Sequence, residues 1–363
     1  MKIGMTGLQS AGRTTVFNAL TRGHAETGPV AGRDGNIGIA RVPDERLGVV
    51  AGIFESRTSV QAEITYVDLP SSRSGEGDLF SGENATRLQQ VDALLAVVRS
   101  FDDDSVPHLE GSVDWRRDLE KIMFDLNFAD IDLIERRIER INDSIKGMRS
   151  GERLTAMQMI ETFRGIQQEL ENGVPVRAQD PAVTDDPSIR DTFLLSALPF
   201  LAAINIDEDE LSRSAEYESD LSEVISGPLA GGTTIAGKLE MELGQLEQGD
   251  DADDMRAELG AGEPGLSRMV RLSYDVLGLI TFFTATEKEA RAWDIADGTQ
   301  APRAAGSVHT DMERGFIRAE VTSYDDLAEC GSTAEARKRG VLRTEGRDYV
   351  VRDGDVINFL FSV

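Results

Sequence analysis

Met1–Leu20, MKIGMTGLQSAGRTTVFNAL, is the stretch from which the fold is read. Lys2 to Thr6 is a short apolar run and predicts a buried strand. Gly7 to Thr14 follows G-x-x-x-x-G-[K/R]-T. From Thr14 to Leu20 the apolar residues Val16, Phe17 and Leu20 share one helical face. Strand, glycine loop and helix, in that order, form the context in which this pattern holds a phosphate. Gly7 and Gly12 let the backbone turn without a Cβ in the way. The loop N–H groups then converge on an anion at the positive end of the helix. Gly7, Ser10, Ala11, Gly12, Arg13, Thr14 and Thr15 are the expected phosphate-binding residues. Thr14 is placed to offer its hydroxyl to a Mg²⁺ on the β- and γ-phosphates. Arg13 stands where the pattern usually has Lys, a planar fork in place of a compact point charge. It is the candidate catalytic cation. The same string also fits a plain glycine turn at any strand–helix junction.

The chain has 363 residues, room for two or three domains with full cores. No apolar run approaches a membrane span, and the N-terminus lacks the shape of a signal peptide. The single Cys330 excludes an internal disulfide framework and fits a reducing compartment. Three histidines and one cysteine leave little for a structural zinc site. The formal charge of −27 argues against broad binding to phosphate backbones, and no specific DNA binding is expected.

Asn36 to Val42 reads as a strand, and Pro43-Asp44-Glu45 opens a helix with acids in its first turn. Ser59 to Asp68 alternates and reads as one strand ending in YVDLP. Asp68 has two readings, a Mg²⁺ ligand at the strand end or a cap. Val91 to Arg99 is a continuous apolar run, as in a parallel strand covered on both faces. Trp115 to about Met148, and then Glu152 to Leu170, have helical spacing and heavy charge, and predict an antiparallel helical hairpin. Asn172 to Asp191, with three prolines, reads as a loop. Phe193 to Asn205 ends in a strand that runs into Asn205-Ile206-Asp207-Glu208. Here Asn205 would brace the phosphate loop and Glu208 would meet the edge of a purine base. An Asx turn with exposed acids is the alternative. His24 and His108 are expected on the surface or in loops.

Leu279 to Val363 differs in character. It has short strands at Leu279–Thr284, Glu289–Asp294, Arg314–Val321 and Asp348–Phe361, one helix near Tyr324 to Leu327, and turn signals throughout. A compact β-grasp-like module fits. His309, Asp311 and Glu313 lie close together there, and turn or capping roles are expected for them rather than metal binding.

Nearly the whole chain resembles the YchF subfamily of Obg-like ATPases, a translation-factor class of P-loop NTPase. The resemblance is carried by MKIGMTGLQSAGRTTVFNALT, NIGIARVPDERL, TYVDLP, VDALLAVVRSFDDDSVPHLEGSVDWRRDLEKI, AAINIDEDE and GKLEMEL. It is densest over 277–321 and 347–363. It implies an α/β fold: a Ras-like P-loop core over 1–278, a helical coiled-coil insertion at about 119–195, and a C-terminal β-grasp (TGS) domain over 279–363. It further implies hydrolysis of ATP or GTP with Mg²⁺, ribosome or ribosomal RNA association through the TGS domain, and a cytoplasmic location. Glu208 matches the family feature linked to accepting adenine. Ala236 and Gly237, before Lys238, match the third base-contacting motif.

The departures cluster where the γ-phosphate would lie. The loop Lys is Arg13, and the family's loop Asn falls at Ser10. The Mg²⁺-binding Thr of the first switch falls at Gly32, with Thr27 too early to substitute simply, and the switch cysteine falls at Ala31. The second switch, normally D-x-x-G, is Asp68-Leu69-Pro70-Ser71. Catalysis in this class rests on charge placed against the transferring group. The expectation is therefore a purine-nucleotide-binding protein with slow or impaired hydrolysis, acting through partners. Two alternatives stand beside it: a competent Mg²⁺-dependent NTPase that uses Arg13, and a scaffold that no longer binds nucleotide.

Overall fold

The computed structural model describes residues 1–25, 35–69, 79–80, 82–103, 106–108, 110–184, 186–245, 255–256 and 262–362. Most of both expected switch loops, with Thr27, Ala31, Gly32, Pro70 and Ser71, lies outside them, while Asp68 and Leu69 are described. The chain divides into two compact units. One is Met1–Ala40 with Thr65–Leu272, the other Arg41–Ile64 with Ser273–Val363.

The first unit is built on a six-stranded sheet. In chain order the strands that matter are β1 (Lys2–Thr6), β2 (Asn36–Arg41), β3 (Thr58–Val60), β4 (Glu63–Asp68), β5 (Ala93–Arg99), β6 (Phe200–Asn205) and β7 (Ala230–Ile235). The sheet runs β2-β4-β1-β5-β6-β7, with β4, β1, β5, β6 and β7 parallel. Every residue of β5 and β6 is buried, as expected of strands covered on both faces. Chain order reverses direction at β1, and the loops after β1, β4, β5, β6 and β7 share the carboxyl edge where open α/β sheets bind ligands.

The helices Trp115–Ile145 and Ser150–Glu171 form the hairpin that the periodicity predicts. Ile134, Phe163, Ile166 and Leu170 make its own core. The segment expected as a loop, Asn172 to Asp191, instead holds short helical turns at Val176–Ala178, Pro181–Thr184 and Pro187–Arg190. Val176, Ile189 and Leu194 close the hairpin core. Three prolines suggested irregular backbone, but each one opens or precedes a helical turn, where a missing N–H costs nothing. Asp130, at 1% exposure, accepts the N–H groups of Leu195 (2.8 Å) and Ser196 (2.7 Å). Burial pushes its pKa up to about 6, and burial also lowers that of nearby Arg177 to about 10.

The second unit is a mixed sheet with strands β8 (Leu279–Ala285), β9 (Glu289–Ala296), β10 (Phe316–Ser323), β11 (Arg343–Glu345) and β12 (Asp355–Phe361). Its order is β11-β10-β12-β8-β9-β3. The first and last long strands of the module, β8 and β12, lie side by side and parallel, as a β-grasp arrangement requires. The helix Ala301–Val308 covers Phe282, Phe316, Ile357 and Phe359. Sequence reading missed this short helix and two others, Thr310–Arg314 and Thr333–Arg339. His309 caps the first of these two, its Nδ1 accepting from the N–H of Asp311 at 3.2 Å.

The alternating run Ser59 to Asp68 is not one strand. Thr58–Val60 pairs in parallel with Glu289–Arg291 of the second sheet, whereas Glu63–Asp68 enters the first. Residues 41–64 therefore lie with the C-terminal unit, although chain order assigns them to the domain expected over 1–278. Alternation has the same period in either sheet, so pattern alone does not divide the run.

Candidate functional site

Gly7 follows β1, and a Cβ there would lie 2.5 Å from the carbonyl oxygen of Val97. Gly12 has φ 79° and starts the helix Arg13–Thr21; a Cβ there would meet the Asn205 amide nitrogen at 2.1 Å. Both positions thus need glycine for close approach, and Gly12 also for its left-handed backbone. Gly12 has no side chain to cap the first-turn N–H groups, the groups through which a helix start holds an anion. Ser10 completes the turn with φ 65°. Ala11 is buried, and Thr15 lies half-buried in the first turn.

Asn205 ends β6 at 4% exposure. Its Nδ2 donates to the Ala11 carbonyl at 3.1 Å, and its Oδ1 accepts from the Gly237 N–H at 3.1 Å. One amide therefore joins the phosphate loop to the Ala236-Gly237 turn after β7, three segments that are far apart in sequence. Ala236 is 5% exposed behind that turn. Glu208 opens a 3-10 turn, Glu208–Arg213, and stands exposed. The Asp207 carboxylate accepts from the N–H of Glu208 at 2.7 Å, the adjacent residue and not the second one on that an Asx turn uses, so of the alternative reading only the exposed acids are found.

Asp68 ends β4 at 1% exposure. Its Oδ1 accepts from the Nε of Arg13; its Oδ2 accepts from the Thr14 hydroxyl at 2.9 Å and the Asn36 amide at 3.2 Å. Arg13 is 10% exposed in its side chain, so the ion pair is nearly dry. In the sequence Asn36 is only the start of a strand, and no local pattern marks it. Thr14 and Asp68 are the donor types that a nucleotide-bound Mg²⁺ uses, but the charge of the Asp68 carboxylate is already paired with the Arg13 guanidinium. As arranged, they do not fit a resident metal. Among the described residues no cluster of three or more His, Cys, Asp or Glu side chains forms an alternative.

Two neighbouring features also depend on tertiary structure. His108, expected at the surface or in a loop, has its side chain buried, with Nε2 2.8 Å from Asp118 Oδ2. Arg117 binds the other oxygen of Asp118 at 2.7 Å. A cleft of about 610 Å³ is lined by Ser100, Asp102, Trp115, Arg213 and Tyr217 among others, none of them a residue expected to bind nucleotide.

Comparison with known proteins agrees along the full length. Residues 279–362 match the family model YchF-GTPase_C, described as a protein of unknown function (DUF933). The chain is 35% identical to "Ribosome-binding ATPase YchF" of Bacillus subtilis, over 99% of each chain. It is 32% identical to "Obg-like ATPase 1" of Oryza sativa subsp. japonica, over 100% of this chain and 92% of the relative. The solved YchF GTPase of Schizosaccharomyces pombe superposes with a TM-score of 0.85 at 28% identity, covering 99% of this chain and 97% of that one. Among the described residues no helix is long and apolar enough to cross a membrane.

Proposed function

The chain belongs to the YchF family of Obg-like P-loop ATPases and GTPases, and we propose that it is a slow or hydrolysis-impaired member that binds a purine nucleotide and acts through partners. The Asn205 bridge between Ala11 and Gly237 is the observation that carries this proposal. It places the phosphate loop and the base-side turn in one rigid frame at the sheet edge, which a mere glycine turn does not need. Gly7, Ser10, Ala11, Gly12, Arg13, Thr14 and Thr15 hold the phosphates in this proposal. Asn205, Glu208, Ala236 and Gly237 define the base side.

Impaired hydrolysis follows from charge. A triphosphate is cleaved when cations and N–H groups meet the charge that develops on the transferring group. Arg13, the cation of the loop, holds the phosphates with its charge partly offset by Asp68, so it brings less charge to the transferring group than a free lysine would. The switch Thr and the γ-phosphate-sensing Gly are missing from their sequence positions. Losing two such contacts, at about 2.7 kcal/mol or more each, costs about 5 kcal/mol of transition-state stabilisation, several thousandfold in rate. Mg²⁺, the family's usual companion, would reach the phosphates through Thr14 and Asp68 only after Arg13 leaves.

The Bacillus subtilis relative is by name a ribosome-binding ATPase, and we extend that role to this chain, through the β-grasp unit and in the cytoplasm. Arg337, Lys338 and Arg339 stand exposed at the end of the helix Thr333–Arg339, a local basic turn on an otherwise acidic protein. Thermal melting with saturating ATP, GTP and their non-hydrolysable analogues tests the nucleotide step. A ligand at a hundredfold excess over Kd stabilises by about 2.7 kcal/mol, a shift of several degrees. A flat response to every nucleotide would overturn the proposal in favour of a scaffold.

A further inference from the structure

Arg13 and Lys are not equivalent at this position. A lysine presents one compact charge that moves freely between a carboxylate and a phosphate. A guanidinium has five N–H donors in a fixed plane, and can bind a carboxylate with one edge while offering the other to a second anion. In this chain the Nε of Arg13 is on Asp68 Oδ1, in a pair that is 10% and 1% exposed. That contact uses one donor of five. The Thr14 hydroxyl and the Asn36 amide fill Asp68 Oδ2. The carboxylate that would anchor the water shell of a divalent cation is thus neutralised by the guanidinium and hydrogen-bonded on both oxygens by the protein itself. The positive charge that a metal would bring is already present, on the first residue of the helix whose N-terminus faces the loop.

We propose that Arg13, locked on Asp68, stands in for the divalent cation, so that this protein holds the phosphates of ATP or GTP without requiring Mg²⁺. The inference rests on the nucleotide-binding proposal above and deepens it. Asp68 orients the fork, and the other guanidinium donors meet the phosphate oxygens. Thr14 keeps donating its hydroxyl hydrogen to Asp68 Oδ2, and the positive charge beside it comes from Arg13 rather than from a metal. Mg²⁺ then competes with Arg13 for Asp68 instead of assisting it.

Titration calorimetry of the full chain with ATP and with GTP, in excess EDTA and again in excess Mg²⁺, tests this. The wild-type Kd is expected to agree within about threefold between the two buffers, less than 1 kcal/mol. Arg13→Lys, with its mobile point charge, is expected to regain a Mg²⁺ preference of about tenfold or more. A circular-dichroism melt confirms that the variant is folded. Mn²⁺ used as an EPR probe is expected to stay free in the wild-type nucleotide complex and to be captured by Arg13→Lys. A wild-type affinity at least tenfold tighter with Mg²⁺ would overturn the inference and leave nucleotide binding intact. Equal metal independence in the wild type and in Arg13→Lys would overturn the role of Arg13. No binding in either buffer would overturn the nucleotide proposal, and this inference with it.

Discussion

Arg46 holds Asp353 across 307 positions of chain, with Nη1 to Oδ2 at 2.6 Å and Nη2 to Oδ1 at 3.3 Å. The same guanidinium binds Asp44 at 2.8 Å and lies 5.3 Å over the Phe283 ring. Asp353 also accepts the Thr281 N–H at 2.9 Å. These contacts, with the pairing of β3 on β9, attach residues 41–64 to the C-terminal sheet. The two carboxylates hold Arg46 above its usual pKa, and Arg46 holds Asp353 below its own.

Arg46→Ala is expected to destabilise this unit by about 1–2 kcal/mol. The pair is partly exposed and worth less than a buried one, but the stacking over Phe283 is lost as well. Urea unfolding followed by tryptophan fluorescence in a Trp115→Phe background, which leaves Trp293 of this unit, measures it. A midpoint equal to that of the wild type would show that β3 pairing alone holds the segment.

Asn205→Ala should cost about 2–3 kcal/mol, because a buried N–H of Gly237 and a buried carbonyl of Ala11 both lose their partner. Asn205→Asp is the sharper variant. It keeps an acceptor for Gly237 but turns an oxygen toward the Ala11 carbonyl. Both variants should abolish nucleotide-induced melting shifts, and a retained shift in Asn205→Asp would argue against the bridge.

Asp130 supplies a pH dependence with a definite sign. Burial raises its pKa from 3.8 to about 6 in the folded chain, so between these values the folded state binds more protons than the unfolded one. The stability contributed by this group is fully present below about pH 4 and is lost as pH rises through 6, by an amount on the order of 2–3 kcal/mol. The stability difference between wild type and Asp130→Asn should change by that amount across this window, to the wild type's disadvantage at higher pH. A difference that does not vary between pH 4 and 7 would contradict the assignment.

Glu208→Asp should move base preference toward guanine. The shorter carboxylate suits the two donors on the guanine edge, and a gain of about tenfold in the GTP-to-ATP affinity ratio is expected. Competition binding on the folded variant reads this directly. An unchanged ratio would remove Glu208 from the base site.

The glycine loop after β1, the buried run at β5, the helical hairpin and the four long strands of the β-grasp unit were legible, because each is written in neighbouring residues; β11 was not, and the strand expected over Asp348–Phe361 forms only over Asp355–Phe361. Glycine spacing, twofold alternation and three-to-four-residue periodicity depend on the local backbone alone. The prolines after Asn172 misled because proline forbids helix interiors yet favours helix starts. The helices Ala301–Val308 and Thr333–Arg339 were too short to show a period.

Sequence by itself determined that this chain carries a strand–glycine-loop–helix unit followed far downstream by a β-grasp unit, since those signals are local and repeat at known periods. Only the tertiary structure decided that Ser59 to Asp68 divides between two sheets, that Asn205 ties Ala11 to Gly237, and that Asn36 and Arg13 meet on Asp68. It also decided that His108 is buried against Asp118. The physical reason is common to most of these. Each contact satisfies a buried polar group, and burial depends on which surfaces close over it. For Asp68 the partners lie 32 to 55 residues away, and for Asn205, whose bracing of the loop was expected from its motif, the bond to Gly237 reaches 32 residues on, beyond any local pattern.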